Sequence, residues 1–273
     1  MLARVEETLR KAGREAPGQE AWWILEAATK RDRAGLVTEP EISREEERSC
    51  ERLAARRAAG EPLQYVTQVA GFRGLDLAVG PGVFIPRPET ELVAERAMSR
   101  LPRGGTLVDV GTGSGAMALA VAKERGDATV LATESSTAAL AWAERNQAAL
   151  GVPVELVPGD LLSGLDPSLA GAIDVVVSNP PYIDRAQASS LPQEVVGHEP
   201  DRALFATEAG LDVLIRLADA AISWLHREGW LVLEIASDQA ESAAALLGAA
   251  GYERVSIGED LAGNPRIAEG QKP

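Results

Sequence analysis

The segment Asn179-Pro180-Pro181-Tyr182 contains the residue types best suited to chemistry in this sequence. Two successive prolines fix the backbone and remove two amide donors, so the Pro180 carbonyl can point outward as an acceptor. With the side-chain oxygen of Asn179 it would offer two acceptors in a fixed geometry, and Tyr182 would add a flat face beside them. Such a site suits a planar NH2 group on an sp² carbon, which brings two donors and a π surface. The alternative is a rigid turn with an asparagine cap.

A glycine-rich segment at residues 109–115, Asp-Val-Gly-Thr-Gly-Ser-Gly, lies where a predicted strand turns into a helix. Alternate glycines let the backbone turn tightly and approach a ligand with no β-carbon in the way. The spacing is shorter than the G-x-G-x-x-G of dinucleotide enzymes, and no Lys-Ser or Lys-Thr pair follows, so a P-loop is not predicted. Glu134, at the end of the next strand, can accept hydrogen bonds from both hydroxyls of a ribose. These features favour S-adenosylmethionine (AdoMet) over NAD; the alternative role of Glu134 is the N-terminal acid of a surface helix.

Strands and helices alternate regularly around these two segments. The predicted strands are 106–110, 129–133, 154–157, 173–177, 230–235 and 252–257. The predicted helices are 89–101, 116–123, 137–150, 211–225 and 239–250. This alternation favours a mostly parallel sheet covered on both faces. Both candidate segments then lie at the carboxyl ends of strands, where open α/β sheets hold their ligands.

The sequence divides into three parts. Residues 1–60 are predicted to form a helical domain, with Ser43 and Glu46 as a capping box at the start of its third helix. Residues 61–86 are predicted to form a connector with a β-hairpin, and residues 87–273 the α/β domain.

Composition and charge exclude several classes of protein. The chain has 273 residues, 45% of them hydrophobic, and a formal net charge of −14. A disulfide framework is excluded because Cys50 is the only cysteine. The sequence has no apolar run long enough for a membrane span, and the acidic balance argues against direct nucleic-acid binding. We therefore expect a cytoplasmic monomer without a metal site.

Several further stretches make the sequence resemble the PrmC/HemK family of protein-(glutamine-N5) methyltransferases, which modify peptide chain release factors. The matching stretches are residues 60–65, 71–72, 84–91, 109–115, 178–183, 199–200, 260–263 and 266. The Asn-Pro-Pro-Tyr segment alone is shared with DNA and RNA amino-methyltransferases. Residues 84–91, Phe-Ile-Pro-Arg-Pro-Glu-Thr-Glu, narrow the resemblance to this family.

The resemblance implies a class I AdoMet-dependent methyltransferase with a Rossmann-like, mostly parallel seven-stranded sheet. It also implies an N-terminal helical domain that helps to hold the substrate. That substrate would be the glutamine in the Gly-Gly-Gln motif of class-1 release factors, and the second product would be S-adenosylhomocysteine. The tail at residues 267–273 is more polar than expected for the last strand of the family.

The resemblance also implies roles for individual residues. The residues implied to contact the cofactor are Gly111, Thr112, Gly113, Ser114, Gly115, Glu134, Asp160, Leu161 and Asn179. Within this set, the glycine-rich segment would line the methionine part of AdoMet, Glu134 would bind its ribose, and Asp160 with Leu161 would lie near the adenine. The Asn-Pro-Pro-Tyr residues would hold the glutamine amide, with Asn179, Pro180 and Tyr182 as the catalytic residues.

An amide nitrogen is a poor nucleophile, and the sequence places no strong base beside the Asn-Pro-Pro-Tyr segment. His198 lies in a following loop and His226 is expected to end a helix, so both are interpreted as structural. Trp22 and Trp23 are likewise interpreted as part of a packed helical core. We therefore expect catalysis by positioning and desolvation.

Two other functions stay open at this point. One is a DNA adenine-N6 or RNA guanine-N2 methyltransferase that uses the same segment on a flipped base. The other is an AdoMet-binding or release-factor-docking module without turnover.

Overall fold

The first part of the chain folds into a helical unit in the structure, a computed structural model that describes residues 1–207 and 210–273. Its helices are α1 (Leu2–Lys11), α2 (Pro17–Thr29), α3 (Arg33–Thr38), α4 (Arg44–Ala58) and α5 (Leu63–Thr67). Their apolar faces form a separate core around Leu9, Ile24 and Cys50, which are fully buried. The predicted capping box is confirmed: Ser43 caps α4, and Glu46 bonds back to the Ser43 amide.

Only one of the two tryptophans expected in the helical core packs there. Trp22 packs against the helical core, whereas Trp23 is 45% exposed, so the prediction is wrong for Trp23. Neighbouring helical residues point about 100° apart, and Ala21, Ile24 and Leu25 occupy the inward face of α2.

A β-hairpin follows the helical unit. Strands β1 (Val69–Phe72) and β2 (Leu75–Ala78) pair antiparallel around a two-residue turn at Arg73 and Gly74, both with positive φ, as a type I′ turn requires. Phe72 and Leu77 are buried against the core of the α/β part and attach the hairpin to it. The preceding residues form α5, so β structure begins only at Val69.

From residue 88 onward, helices and strands alternate. In chain order they are α6 (Pro88–Arg100), β3 (Thr106–Val110), α7 (Ala116–Glu124), β4 (Thr129–Glu134), α8 (Thr137–Leu150), β5 (Glu155–Pro158), β6 (Ile173–Ser178), β7 (Ile183–Asp184), α9 (Gln193–Val196), α10 (Asp201–Leu204), β8 (Phe205–Ala206), α11 (Asp212–Trp224), β9 (Leu225–Glu234), α12 (Ala240–Ala249), β10 (Glu253–Glu259) and β11 (Pro265–Gln271). None of the helices within 1–207 and 210–273 has the length and apolar character needed to cross a bilayer.

A seven-stranded sheet occupies the centre of the α/β part, in the order β10-β11-β9-β6-β3-β4-β5 among the residues described. All neighbouring pairs from β9 to β5 are parallel, and β11 alone runs antiparallel to both of its neighbours. Helices α6 and α7 cover one face with an apolar core, and α11 and α12 cover the other. The central strands β3, β4 and β6 and residues 230–234 of β9 are therefore buried on both sides, which explains their nearly continuous apolar sequences.

One sequence expectation fails at one end of this sheet. β9 begins at Leu225, which pairs with Ile173, so His226 lies in a strand and does not end a helix. Its Nε2 lies 2.8 Å from Asp174 Oδ1 at the start of β6. The polar tail forms most of β11, in which the buried Glu269 pairs with arginines of α6.

Candidate active site

A cleft of about 270 Å³ opens at the carboxyl ends of β3, β4 and β6. Most of the residues predicted from the sequence line it, and these are Gly111, Thr112, Gly113, Ser114, Glu134, Asp160, Leu161, Asn179, Pro180 and Pro181. Gly115 and Tyr182 lie next to the cleft but do not form its wall. The chain thus brings the glycine-rich segment and the Asn-Pro-Pro-Tyr segment to a single cavity, because both follow neighbouring parallel strands.

The glycine-rich segment needs glycine for its conformation. Gly111, Gly113 and Gly115 all have positive φ, at 72°, 59° and 85°. A β-carbon at Gly111 or Gly113 would meet no atom within 4 Å, so both face open space on the cleft side. Open backbone at the beginning of α7, where the first amides have no partner within the helix, fits a ligand that carries a carboxylate, as the methionine part of AdoMet does.

Glu134 is buried at the end of β4 and connects the two loops that follow β3 and β4 at the cleft. Its two carboxylate oxygens accept hydrogen bonds from the amides of Gly113, at 2.9 Å, and Ser136, at 2.7 Å. Each carboxylate oxygen has two lone-pair sites, so both can accept a further donor. The geometry therefore fits a ribose with two hydroxyl donors.

Asp109 lies completely buried beneath the same segment. Its Oδ2 accepts hydrogen bonds from Thr112 Oγ1, at 2.6 Å, and from the Ala118 amide, at 3.1 Å. Its Oδ1 has no partner among residues 1–207 and 210–273. Burial raises the pKa of Asp109 to about 7, because water no longer stabilises the charged form and the two hydrogen bonds only partly replace it.

Asp160 and Leu161 line the end of the cleft beyond Glu134. Asp160 Oδ2 accepts from Arg216 at 2.5 Å, so this carboxylate already has a cationic partner from α11. Leu161 packs against the core beneath the sheet and has a φ of +52°. An adenine at this end would meet an aliphatic side chain and a paired carboxylate.

The Asn-Pro-Pro-Tyr segment forms the opposite wall. Ser178 Oγ donates to the Val110 carbonyl at 2.6 Å and joins the ends of β6 and β3 just before it. Asn179 Nδ2 donates to Thr90 Oγ1 at 3.2 Å, which turns the side-chain oxygen away from Thr90. Within the described residues, no donor reaches that oxygen or the Pro180 carbonyl. Both oxygens are therefore free to accept, and their residues line the cleft together with the glycine-rich segment.

Tyr182 takes a different position from the remainder of the segment. Its hydroxyl donates to Glu234 Oε1 at 3.2 Å, and its carbonyl accepts from Gln239 Nε2 at 3.1 Å. Burial and the neighbouring Glu234 raise the pKa of Tyr182, so the hydroxyl stays a donor. The ring is fixed behind the prolines, and its contact with a substrate stays a prediction.

The mouth of the cleft is built by two segments distant in sequence. Phe84 and Pro86 come from the stretch before α6, and Pro200 and Arg202 come from the stretch around the start of α10. Glu199 joins the two stretches, because its buried carboxylate accepts from the Ile85 amide and pairs with Arg87. Apolar side chains at this mouth can exclude water from a bound substrate.

The sequence interpretation missed Thr90 and Glu234. Thr90 belongs to the stretch at 84–91 that narrowed the family resemblance, although no role was assigned to it. Glu234 is a charged residue directly after the apolar run at residues 230–233 of β9, and it is 1% exposed. A charge in such a place has to be paired or functional, and this was the available signal.

Comparison with known proteins gives matches over nearly the whole chain. The family model described as PrmC N-terminal domain matches residues 1–67, and the model described as methyltransferase small domain matches residues 74–203. A release factor glutamine methyltransferase of Geobacter sulfurreducens is 37% identical, covering 96% of this chain and 92% of that protein. One of Escherichia coli K12 is 35% identical, covering 94% and 93%.

Solved structures are similar in fold. A methyltransferase from Pyrococcus furiosus superposes with a TM-score of 0.57 at 21% identity, covering 81% of this chain and 98% of that chain. A 16S rRNA N2 G1207 methyltransferase of T. thermophilus, solved with AdoMet and guanosine, gives 0.55 at 20% identity, covering 75% and 50%. Together with the sheet order, these similarities confirm the predicted class I fold.

Proposed function

Because this chain belongs to the family of release factor glutamine methyltransferases, we propose that it methylates the side-chain amide nitrogen of the glutamine in the Gly-Gly-Gln motif of class-1 release factors. It is a methyltransferase, and the methyl donor proposed is AdoMet. The observation that carries the proposal is the pair of acceptors, Asn179 Oδ1 and the Pro180 carbonyl, on the wall of a cleft that also contains Glu134 and the glycine-rich segment.

The residues of the cleft fit AdoMet. The open backbone at Gly111 and Gly113 suits its methionine part, and the Glu134 carboxylate suits its ribose. When bound, AdoMet supplies an electrophilic methyl group on a sulfonium. The assignment of each cofactor residue stays a proposal, including those of Asp160 and Leu161.

The mechanism follows from what the Asn-Pro-Pro-Tyr segment can do to a glutamine amide. Asn179 Oδ1 and the Pro180 carbonyl accept the two amide hydrogens, which increases electron density on the nitrogen and fixes the plane of the group. Phe84, Pro86 and Pro181 exclude water. Holding the reacting atoms about 3–3.5 Å apart can supply roughly 7–11 kcal/mol of rate advantage. After methyl transfer the nitrogen has become acidic, and one of its two hydrogens passes as a proton along its hydrogen bond to the acceptor oxygen and from there to water.

The alternative acceptor, a nucleic-acid base, is not favoured. The similar curated proteins that cover the whole chain are named for release factors. The net charge of −14 also opposes contact with a phosphate backbone. The monomeric state and the absence of nucleic-acid binding stay predictions, as do the division at residues 60 and 86 and the cytoplasmic location.

The proposed function is tested with purified protein, labelled AdoMet and either a class-1 release factor or duplex DNA and ribosomal RNA. We expect one added methyl on the Gly-Gly-Gln peptide by mass spectrometry and no label in nucleic acid. Asn179→Ala should lower turnover by orders of magnitude while leaving the AdoMet dissociation constant within about threefold, because the lost oxygen contacts the amide. Label in nucleic acid alone, or wild-type turnover by Asn179→Ala, would contradict the proposal.

A further inference from the structure

We infer that Glu234 and Thr90 form a hydrogen-bond relay that fixes which end of the Asn179 amide faces the substrate. Both are then positioning residues, because they act on the acceptor through Asn179. The inference deepens the proposed function and rests on it for the identity of the acceptor.

The relay joins three elements at the carboxyl edge of the sheet. Thr90 lies in the first turn of α6, Glu234 is the last residue of β9, and Asn179 directly follows β6. Thr90 Oγ1 donates to Glu234 Oε2 at 2.6 Å and accepts from Asn179 Nδ2 at 3.2 Å. Thr90 and Glu234 are 4% and 1% exposed, so water does not compete for these bonds.

The direction of each bond follows from counting hydrogens. A threonine hydroxyl has one hydrogen, and here that hydrogen is used on the Glu234 carboxylate. Thr90 Oγ1 can then only accept from Asn179, so the NH2 end of Asn179 must face Thr90. The oxygen end must face the cleft, where it can accept from a substrate NH2. Without the relay, the two ends of an asparagine amide are nearly equal in shape, and either can point outward.

Glu234 also holds the other side of the Asn-Pro-Pro-Tyr segment through the Tyr182 hydroxyl. Burial raises the pKa of Glu234, and the hydrogen bonds from Thr90 and Tyr182 and the charge of Arg266 only partly offset that rise. Each carboxylate oxygen accepts from one hydroxyl, Oε2 from Thr90 and Oε1 from Tyr182, so the two bonds do not compete for the same atom.

Because of this arrangement, substitutions of Thr90 and Glu234 should affect the Asn179 amide in different ways. Thr90→Val removes the hydroxyl and releases the Asn179 amide without reversing it. Glu234→Met keeps the side-chain size but leaves the Thr90 hydroxyl without its acceptor. The hydroxyl then donates to Asn179 Oδ1, and the NH2 end turns toward the substrate, where it opposes the substrate's own NH2 group.

Turnover of these variants on the release factor tests the relay. We expect kcat to fall about 3- to 10-fold in Thr90→Val, which matches the loss of one hydrogen bond, and about 100-fold in Glu234→Met. The double variant should be more active than Glu234→Met alone, because removing the hydroxyl removes the wrong donor. Thr90→Ser should recover most of the turnover lost in Thr90→Val. A purely structural role for Glu234 predicts no recovery in the double variant.

Matched controls separate positioning from folding. Glu269→Met removes an equally buried carboxylate of the neighbouring strand β11, which pairs with Arg96 and Arg100 of α6. It should lower stability with unchanged kcat. Thr67→Val removes a half-buried hydroxyl that bonds only within its own helix and should change neither.

Hydrogen exchange of the Asn179 side-chain amide, measured by NMR on asparagine-labelled protein, tests the relay without any methyl acceptor. The amide should be protected in the wild type and in Thr90→Ser, and exchange at least tenfold faster in Thr90→Val. Equal exchange in all three proteins, or a double variant no better than Glu234→Met, would overturn the relay. If the Asn179 amide exchanges as expected in all three proteins but the wild type does not methylate the release factor, the proposed function is overturned and the relay is not.

Discussion

At the scale of single residues, Glu134 has a role that a binding measurement can isolate. A hydrogen bond to a charged group contributes about 1.5–3 kcal/mol. We therefore expect Glu134→Ala to weaken AdoMet binding by about 10- to 100-fold in calorimetry. Glu155→Ala removes an exposed acid from the neighbouring strand and serves as the control for net charge. An unchanged dissociation constant for Glu134→Ala would remove the ribose assignment.

Asp109 gives a prediction about pH at the same scale. Its folded pKa of about 7 lies above the usual aspartate value of 3.8, so the folded state holds the proton more tightly than the unfolded state does. The contribution of Asp109 to the free energy of unfolding is therefore complete below about pH 4, falls as the pH rises toward 7, and then levels off. Each unit of pKa difference corresponds to about 1.4 kcal/mol.

Asp109→Asn, which is neutral and of the same shape, should lose this pH dependence and gain stability relative to the wild type above pH 7. Urea denaturation of both proteins at pH 5 and pH 8 measures the difference. Parallel pH profiles for the two proteins would contradict the raised pKa of Asp109.

At the scale of elements, Gly115 determines where α7 begins. Its φ is +85°, and a β-carbon there would lie 2.8 Å from Leu119 Cδ1 in the next turn of the helix. A left-handed conformation costs an L-residue about 1–2 kcal/mol, and the crowding adds to it. We expect Gly115→Ala to lower the free energy of unfolding by more than this and to weaken AdoMet binding, because the displaced turn borders the cleft.

Gly104→Ala is the matched control for Gly115→Ala. Gly104 has a φ of +71°, but a β-carbon there would meet no atom within 4 Å, so only the backbone cost applies. Denaturation and calorimetry of both variants separate the two effects. If both variants were destabilised equally and both bound AdoMet as the wild type does, the crowding between residue 115 and Leu119 would have no effect, and the prediction would be contradicted.

Most elements of the α/β part were predictable from the sequence. The strand at 106–110 and the helix at 137–150 have their predicted bounds, because apolar runs, glycines and helix caps act locally. β9 was predicted to begin five residues too late, since residues 226–229 are polar or glycine and the start of the strand depends on pairing with β6. The polar character of β11 is balanced by Arg96 and Arg100, which are distant in sequence.

At the scale of the whole molecule, Arg57 attaches the helical unit to the segment between the Asn-Pro-Pro-Tyr residues and Pro200. Its guanidinium bonds to both oxygens of the buried Glu20, at 2.8 and 2.9 Å, and to Glu194 Oε2 at 2.5 Å. Glu194 lies in α9, between the Asn-Pro-Pro-Tyr segment and the mouth residue Pro200. The Arg57–Glu194 pair therefore links the helical unit to a stretch that ends at the mouth of the cleft.

Two substitutions test that attachment. Arg57→Met leaves Glu20 buried and unpaired, so the free energy of unfolding should fall by about 3–5 kcal/mol. Glu194→Ala keeps the Arg57–Glu20 pair, so it should cost at most about 1 kcal/mol while increasing proteolysis within 185–199 and raising KM for the release factor. Proteolysis at the wild-type rate in Glu194→Ala would contradict the attachment.

The sequence by itself determined the fold class, the Asn-Pro-Pro-Tyr segment and the glycine-rich segment, because prolines, glycines and apolar periodicity act on the backbone locally. Only the tertiary structure decided how the Asn179 side chain is held. Its partner Thr90 is 89 residues away in the chain, and Thr90 in turn lies 144 residues from Glu234. Hydrogen-bond direction depends on which groups meet in space, and parallel strands bring those groups together at one edge of the sheet from distant parts of the chain.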